Sequence, residues 1–379
     1  MKRLGSIALI IVLMLSIVPV TSASAIAEDE ISSPSAVLMD ANTGKILYEK
    51  NSREQRPCAS ITKVMTLTLV MEAIDSGKLK LTDTITTSAH AASMGGSDIW
   101  LEEGEQMTAD DMIKATAVAS ANDAAVALAE HLCGTEDEFV RQMNEKAKAL
   151  GMKDTAFMNC NGLDEQGHIT SARDVAIMSR ELIKHKAIFD YTSIWMDSLR
   201  SGETQIVNTN KLLKSYKGIT GLKTGTTSGA GSCISATAER DGLSLIAVVL
   251  GADSGTERFR DAATLLDFGF ANFSTVELKL KDKLGPVAVE GGMSDSVSVV
   301  CSDKTYVTMA KGQQDAVEHK IKVSESVQAP VEKGAKLGEV IYSLKGKTVA
   351  SFDITAAEDV EQKSFSSIFA VIWRAVCQM

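Results

Sequence analysis

Ser60 and Lys63, three residues apart in Ser60-Ile61-Thr62-Lys63 at the head of an apolar segment, are a pair suited to nucleophilic chemistry. At that spacing on a helix the two side chains share a face, with Cβ atoms about 5–6 Å apart. A serine hydroxyl is a weak nucleophile until a base takes its proton, and an uncharged amine one turn away is such a base. Lys63 is embedded among Ile61, Val64, Met65, Leu67, Leu69 and Val70. To work near neutral pH its pKa must fall about 3 units from about 10.4, roughly 4 kcal/mol in favour of the neutral form. Burial of a lysine can supply that much. Two plainer readings compete: Ser60 as an N-cap, and Lys63 as a first-turn lysine whose ammonium reaches out to water.

Two further triplets occur once each and in order, Ser120-Ala121-Asn122 and Lys223-Thr224-Gly225. Ser120 and Asn122 fall between helical stretches at 109–118 and 124–132, where a hydroxyl and an amide can relay a proton and bind a substrate amide. Taken alone, they also suit an ordinary capping turn. Lys223 ends a strand; it offers a second cation that lowers the pKa of Lys63, and it can attract a carboxylate. Gly225 lets a substrate backbone come close, Thr224 and Thr226 add hydroxyls, and the N–H groups of Ser60 and Thr226 can form an oxyanion hole. No histidine is spaced for a Ser-His-Asp triad. The signal lies in the joint appearance of the three triplets at element boundaries.

Those boundaries follow from patterning. Residues 36–40 and 46–49 flank Asn42-Thr43-Gly44 and read as a hairpin. A helix is expected over 61–74, ending near Gly77. Another begins at Thr108, with Asp110 and Asp111 in its first turn. Thr135 and Glu138 make a capping box for a helix ending at Gly151, and a further helix covers 170–185. Strands follow at 219–226, 233–239 and 243–250, then a helix at 258–270. Strands at both ends around central helices predict one antiparallel sheet faced by helices, an α/β (α+β) domain over 28–273.

Residues 274–360 alternate in short segments and predict a small all-β domain. There Val317, His319, Ile321 and Val323 share one strand face, opposite Glu318, Lys320 and Lys322. In 361–379, Phe365, Ile368, Phe369, Ile372, Val376 and Met379 share one face of an amphipathic helix. At ~24 Å the helix from Ser364 onward is too short to cross a ~30 Å hydrocarbon core. It is expected to lie in a membrane interface, packing on the protein body being the alternative.

The chain has 379 residues, 45% apolar, with a net charge of −10. That profile excludes disorder and argues against nucleic acid as a partner. Residues 1–27 read as an export signal: Lys2 and Arg3, an apolar run over 7–18, then Ala23-Ser24-Ala25, with cleavage after Ala25 or Ala27. A retained membrane span is the weaker reading of so short a run. The six cysteines form no C-x-x-C pair and the five histidines no H-E-x-x-H. The cysteines read as small buried hydrophobes, and neither a metal site nor a cofactor is expected.

The three triplets resemble those of the penicillin-recognising serine acyltransferases, the penicillin-binding proteins and serine β-lactamases. Other stretches resemble one branch, the low-molecular-mass D-alanyl-D-alanine carboxypeptidases: Trp100-Leu101, Asn161-Gly162-Leu163-Asp164, His168, Thr170 to Asp174, Asn208-Thr209-Asn210 and Gly221-Leu222. The resemblance runs from about Ser35 to Phe270, with the β domain and tail matching in architecture. It implies a penicillin-binding-protein/serine β-lactamase-like transpeptidase fold. It also implies acylation of Ser60 by peptidoglycan stem peptides ending in D-Ala-D-Ala, loss of the terminal D-Ala, and hydrolysis of the acyl-enzyme. β-Lactam antibiotics would inhibit, and the exported enzyme would sit peripherally on the outer face of the cytoplasmic membrane. Lys63 and Ser120 would serve catalysis; Asn122, Lys223, Thr224, Gly225 and Thr226 would bind substrate; Arg258 would support recognition of the terminal carboxylate. Some relatives carry histidine where Thr226 stands, so fine substrate preference does not transfer. A β-lactamase is the nearest rival, but the E-x-x-L-N setting of its class A deacylating glutamate is missing, since the chain has no Leu-Asn dipeptide. An endopeptidase or a catalytically silent peptidoglycan binder are the others.

Overall fold

The computed structural model describes residue 26, residues 30–301 and 305–366, and positions 369, 373, 376 and 377. The expected export signal, Ile26 apart, lies outside the described residues.

Strands from the two ends of the first 252 residues meet in one sheet. β1 (Ser35–Asp40) and β2 (Ile46–Lys50) form the expected hairpin. β3 (Ile219–Thr227), β4 (Gly231–Arg240) and β5 (Leu243–Ala252) come from the far end. Their order is β2-β1-β5-β4-β3, antiparallel throughout. β5 sits at the centre because nearly all of Leu-Ser-Leu-Ile-Ala-Val-Val-Leu is buried on both faces. Its period of two feeds two cores: Ile246, Val248 and Leu250 face one, and Leu245, Ala247 and Val249 the other.

The first core is covered by helices α1 (Lys63–Asp75), α2 (Ala109–Lys114), α3 (Asn122–Cys133), α4 (Glu136–Ala149) and α5 (Ala172–Leu182). The second is covered by α6 (Gly255–Asn272) through Ala262, Leu265 and Leu266. Several helix starts are fixed by side-chain caps. The hydroxyls of Thr108, Ser171 and Ser254 accept the amides of Asp111, Asp174 and Glu257 at 3.1–3.2 Å. These caps set the true bounds, later than 170 for α5 and earlier than 258 for α6. Thr135 caps α4, but the Glu138 carboxylate turns to Arg141 and Gln142, so only half of the expected capping box forms.

From Phe273 to Lys363 the regular elements of the described chain are short strands and one 3₁₀ turn, joined by turns and loops. Val299–Cys301, Lys347–Ala356, Lys336–Leu344 and Val317–Val323 form a four-stranded sheet in that order, with smaller sheets beside it. The 317–323 strand keeps its polar face exposed and buries the other face only in part. Val317 and Ile321 are half-buried against the domain's core, while His319 and Val323 are exposed. No two cysteines are bridged among the described residues; Cys58, Cys160 and Cys233 are buried as expected, whereas Cys377 is exposed.

Candidate active site

Ser60 does not cap the long helix. It lies in a separate 3₁₀ turn, Ala59–Thr62, whose N-terminal neighbour is Cys58, and α1 starts only at Lys63. The turn is wedged between two glycines. A Cβ on Gly225 of β3 would stand 2.8 Å from Ser60 N and 2.7 Å from Cys58 O, and one on Gly162 would stand 2.0 Å from Ala59 O. Both positions therefore require the bare backbone.

Lys63 is fully buried. Its Nζ lies 2.9 Å from Ser60 Oγ, 2.5 Å from Asn122 Oδ1 and 2.7 Å from the Asn161 carbonyl oxygen. The Asn122 amide is oriented by its Nδ2, which donates to Gly95 O at 2.6 Å. A neutral amine has two N–H groups and one lone pair. With the N–H groups spent on Asn122 and Asn161, which offer only acceptors, the lone pair faces the Ser60 hydroxyl. Burial is the main force, lowering the Lys63 pKa to about 7; the Asp123 carboxylate pulls against it. The arrangement is suited to proton abstraction, and the snorkelling alternative does not hold.

Lys223, also buried, donates from Nζ to Ser120 Oγ at 2.8 Å and to Thr224 O at 2.9 Å. Ser120 adopts a left-handed conformation, φ 64°, where a π-helical turn over Ala115–Ala119 ends before α3. This strained backbone turns the hydroxyl toward β3. Burial lowers Lys223 well below the usual lysine range, and the charges of Lys63 and Arg258 push it further. Burial is the largest cause for both lysines, and the repulsion between Lys63 and Lys223 disfavours charging both at once.

β3 is the last strand of the sheet, so its outer edge can pair with an extended substrate. Thr224 Oγ1 donates to Thr209 Oγ1 at 2.6 Å. Arg258 reaches from α6 to donate to Thr226 Oγ1 at 2.8 Å and Gly225 O at 2.9 Å. It therefore acts on the β3 edge through Thr226, while Phe259 covers its guanidinium. All nine residues singled out from sequence thus gather around one turn and one strand. Sequence reasoning gave no role to the Asn161 carbonyl, a main-chain acceptor that no side-chain type announces. Nor did it place Asp123, buried beside Asn122 and accepting the amides of Ile99 and Leu101 at 3.0 Å. A carboxylate directly after Asn122 at a helix start was the available signal.

Residues 21–254 match the family model described as D-alanyl-D-alanine carboxypeptidase, and residues 273–362 that of the penicillin-binding protein 5 C-terminal domain. The chain is 42% identical over 377 residues to the D-alanyl-D-alanine carboxypeptidase DacF of Bacillus subtilis (strain 168), covering 96% of each. Penicillin-binding protein 5 from Haemophilus influenzae superposes with a TM-score of 0.79 at 32% identity, over 89% of this chain and 100% of that one. Penicillin-binding protein D2 from Listeria monocytogenes, solved in an ampicillin-bound form, gives 0.59 at 33% identity, over 63% of this chain and 98% of that one. The family model, the sequence identity and the superposition agree, and the chain belongs to the D-alanyl-D-alanine carboxypeptidase family.

Proposed function

We propose that this chain is a serine D-Ala-D-Ala carboxypeptidase that trims peptidoglycan stem pentapeptides through an acyl-enzyme on Ser60. The observation that carries this reading is the Lys63 amine, buried, 2.9 Å from Ser60 Oγ, with both competing neighbours able only to accept. Ser60 Oγ attacks the carbonyl of the penultimate D-Ala while its proton passes to Lys63 Nζ. The oxyanion is held by the N–H groups of Ser60 and Thr226. Ser120, held by Lys223, relays a proton to the departing D-Ala nitrogen. Water then hydrolyses the ester and frees Ser60. The terminal carboxylate docks near Lys223, Thr224 and Thr226, and its charge favours the protonated form of Lys223 that burial disfavours. A β-lactam amide enters the same path and acylates Ser60.

Incubation with a pentapeptide ending in D-Ala-D-Ala should release free D-Ala, and penicillin should add its mass at Ser60. Absence of both sinks the enzyme reading. For Arg258→Ala, KM for the pentapeptide should rise roughly tenfold or more, the scale of a lost charge-assisted hydrogen bond. Steady-state kinetics showing an unchanged KM would remove Arg258 from carboxylate recognition.

The chain divides, on this proposal, into an export signal (1–27), the catalytic domain (28–273), the β domain (274–360) and a membrane-associating helix (361–379). No helix among the described residues is long and apolar enough to cross a membrane. In the tail, Phe365, Phe369, Trp373 and Val376 are helical and exposed, and their three rings stack in sequence. That apolar stripe supports peripheral attachment at the outer face of the cytoplasmic membrane. Deleting 364–379 should leave turnover intact and move the protein from floating liposomes to the free fraction. An unchanged flotation profile would contradict the attachment.

A further inference from the structure

A buried line of hydrogen bonds with no part in the acyl-transfer scheme runs beneath the serine turn. His168, 4% exposed, lies between two partners: its Nδ1 is 3.1 Å from Met158 N, and its Nε2 is 2.7 Å from Thr62 Oγ1. A backbone N–H can only donate, so Nδ1 accepts and carries no proton. Thr62 Oγ1 lies 2.9 Å from the Ala59 carbonyl, which can only accept. An imidazole with no proton on Nδ1 carries it on Nε2, so Nε2–H donates to Thr62 Oγ1; the Thr62 hydroxyl in turn donates to Ala59 O, the shorter of its two remaining contacts, with Cys58 Sγ at 3.4 Å. Each bond fixes the direction of the next, from Met158 through His168 and Thr62 to Ala59.

The far end of this line is the residue before Ser60, and it needs holding. Ala59 stands in the left-handed region at φ 50°, a conformation that costs a non-glycine residue about 1 kcal/mol or more. The Phe157 ring meets the imidazole edge to face at 5.8 Å, and the amide of His168 itself donates to Glu165 O, so the ring has little freedom to turn. We propose that His168, as the neutral Nε2–H tautomer, is a positioning residue that acts through Thr62 to hold the strained Ala59–Ser60 turn in its attacking geometry. The proposal rests on the carboxypeptidase reading for its kinetic consequence, though not for its chemistry. Burial favours the neutral ring, lowering its pKa to about 4 against the opposing pull of Glu165 and Asp164.

The test has two arms. In [¹⁵N]histidine-labelled full-length protein at pH 7, two-bond nitrogen–proton correlations should show His168 protonated on Nε2 alone; the Nδ1–H tautomer or an imidazolium would overturn the proposal. In the second arm, Thr62→Val keeps the side-chain shape and deletes the hydroxyl. Its acylation rate constant at saturating penicillin should fall roughly 10- to 100-fold, as expected when a nucleophile is displaced by about 1 Å. The penicillin concentration for half-maximal rate should change little, and Thr62→Ser should restore most of the rate. His168→Phe should match Thr62→Val, whereas His168→Gln, whose amide can donate to Thr62, should recover part of the loss. Wild-type rates in folded Thr62→Val and His168→Phe would overturn the proposal. If the wild type itself is never acylated, it is the carboxypeptidase reading that fails, and the tautomer arm still decides the hydrogen-bond line.

Discussion

Replacing Lys63 by alanine is expected to slow acylation of Ser60 by penicillin on the order of 10³-fold, within the span set by removing a positioned general base. Ser60 keeps its place in the turn, because Gly162, Gly225 and Thr62 hold that turn independently of the amine. The loss therefore belongs to proton transfer rather than to geometry. Lys63→Arg should lose as much. A guanidinium retains its proton at any working pH and cannot accept another. The wild-type rate should climb with pH through about 7 and then level, since only the form above that pKa carries a free lone pair on Nζ. Both variants should lack this rise. Stopped-flow acylation with intact-mass detection reads all three; a Lys63→Arg enzyme with wild-type rates would show that the proton leaves by another route.

The second large effect is expected from Gly225→Ala, which changes no titratable group. The added methyl would lie 2.8 Å from Ser60 N and 2.7 Å from Cys58 O, distances that real Cβ contacts do not adopt, so β3 and the Ser60 turn must part. A shift of about 1 Å here separates the nucleophile from its amine and from the β3 edge together, and about a 10²-fold loss in kcat/KM is expected. Unlike the lysine variants, Gly225→Ala should keep its rise near pH 7, because Lys63 stays buried. A pH–rate profile on this variant distinguishes the two kinds of damage; a full-rate Gly225→Ala enzyme would show that the close approach is dispensable.

The contrast between these variants mirrors what could be read from the sequence. Side-chain chemistry was legible in Ser60, Lys63, Ser120, Asn122 and Lys223; the first four sit at element boundaries, whereas Lys223, expected at the end of a strand, lies inside β3 because the strand runs on to Thr227. The sheet was legible too, because strands such as Leu243–Ala252 are apolar on both faces and bounded by turn residues. The backbone devices were not. The 3₁₀ turn at Ala59–Thr62 and the π turn at Ala115–Ala119 leave no periodicity distinct from the helices they join. The Asn161 carbonyl acts through a group every residue has. Nor can a sequence say how deeply two lysines are buried; full burial of both Lys63 and Lys223 is what disfavours their charged forms. In the β domain, alternation at Val317–Val323 was read as a half-buried strand; the face does pack through Val317 and Ile321, but alternation does not say where along the strand that cover stops.

The most direct measurement is the titration of Lys63 itself. In protein carrying [¹³C,¹⁵N]lysine, with the signal identified by its loss in Lys63→Arg, the Cε resonance should titrate with a midpoint near 7. A midpoint near 10, that of an ordinary solvated lysine, would mean that no uncharged amine faces Ser60 at neutral pH, and would contradict the proposed mechanism.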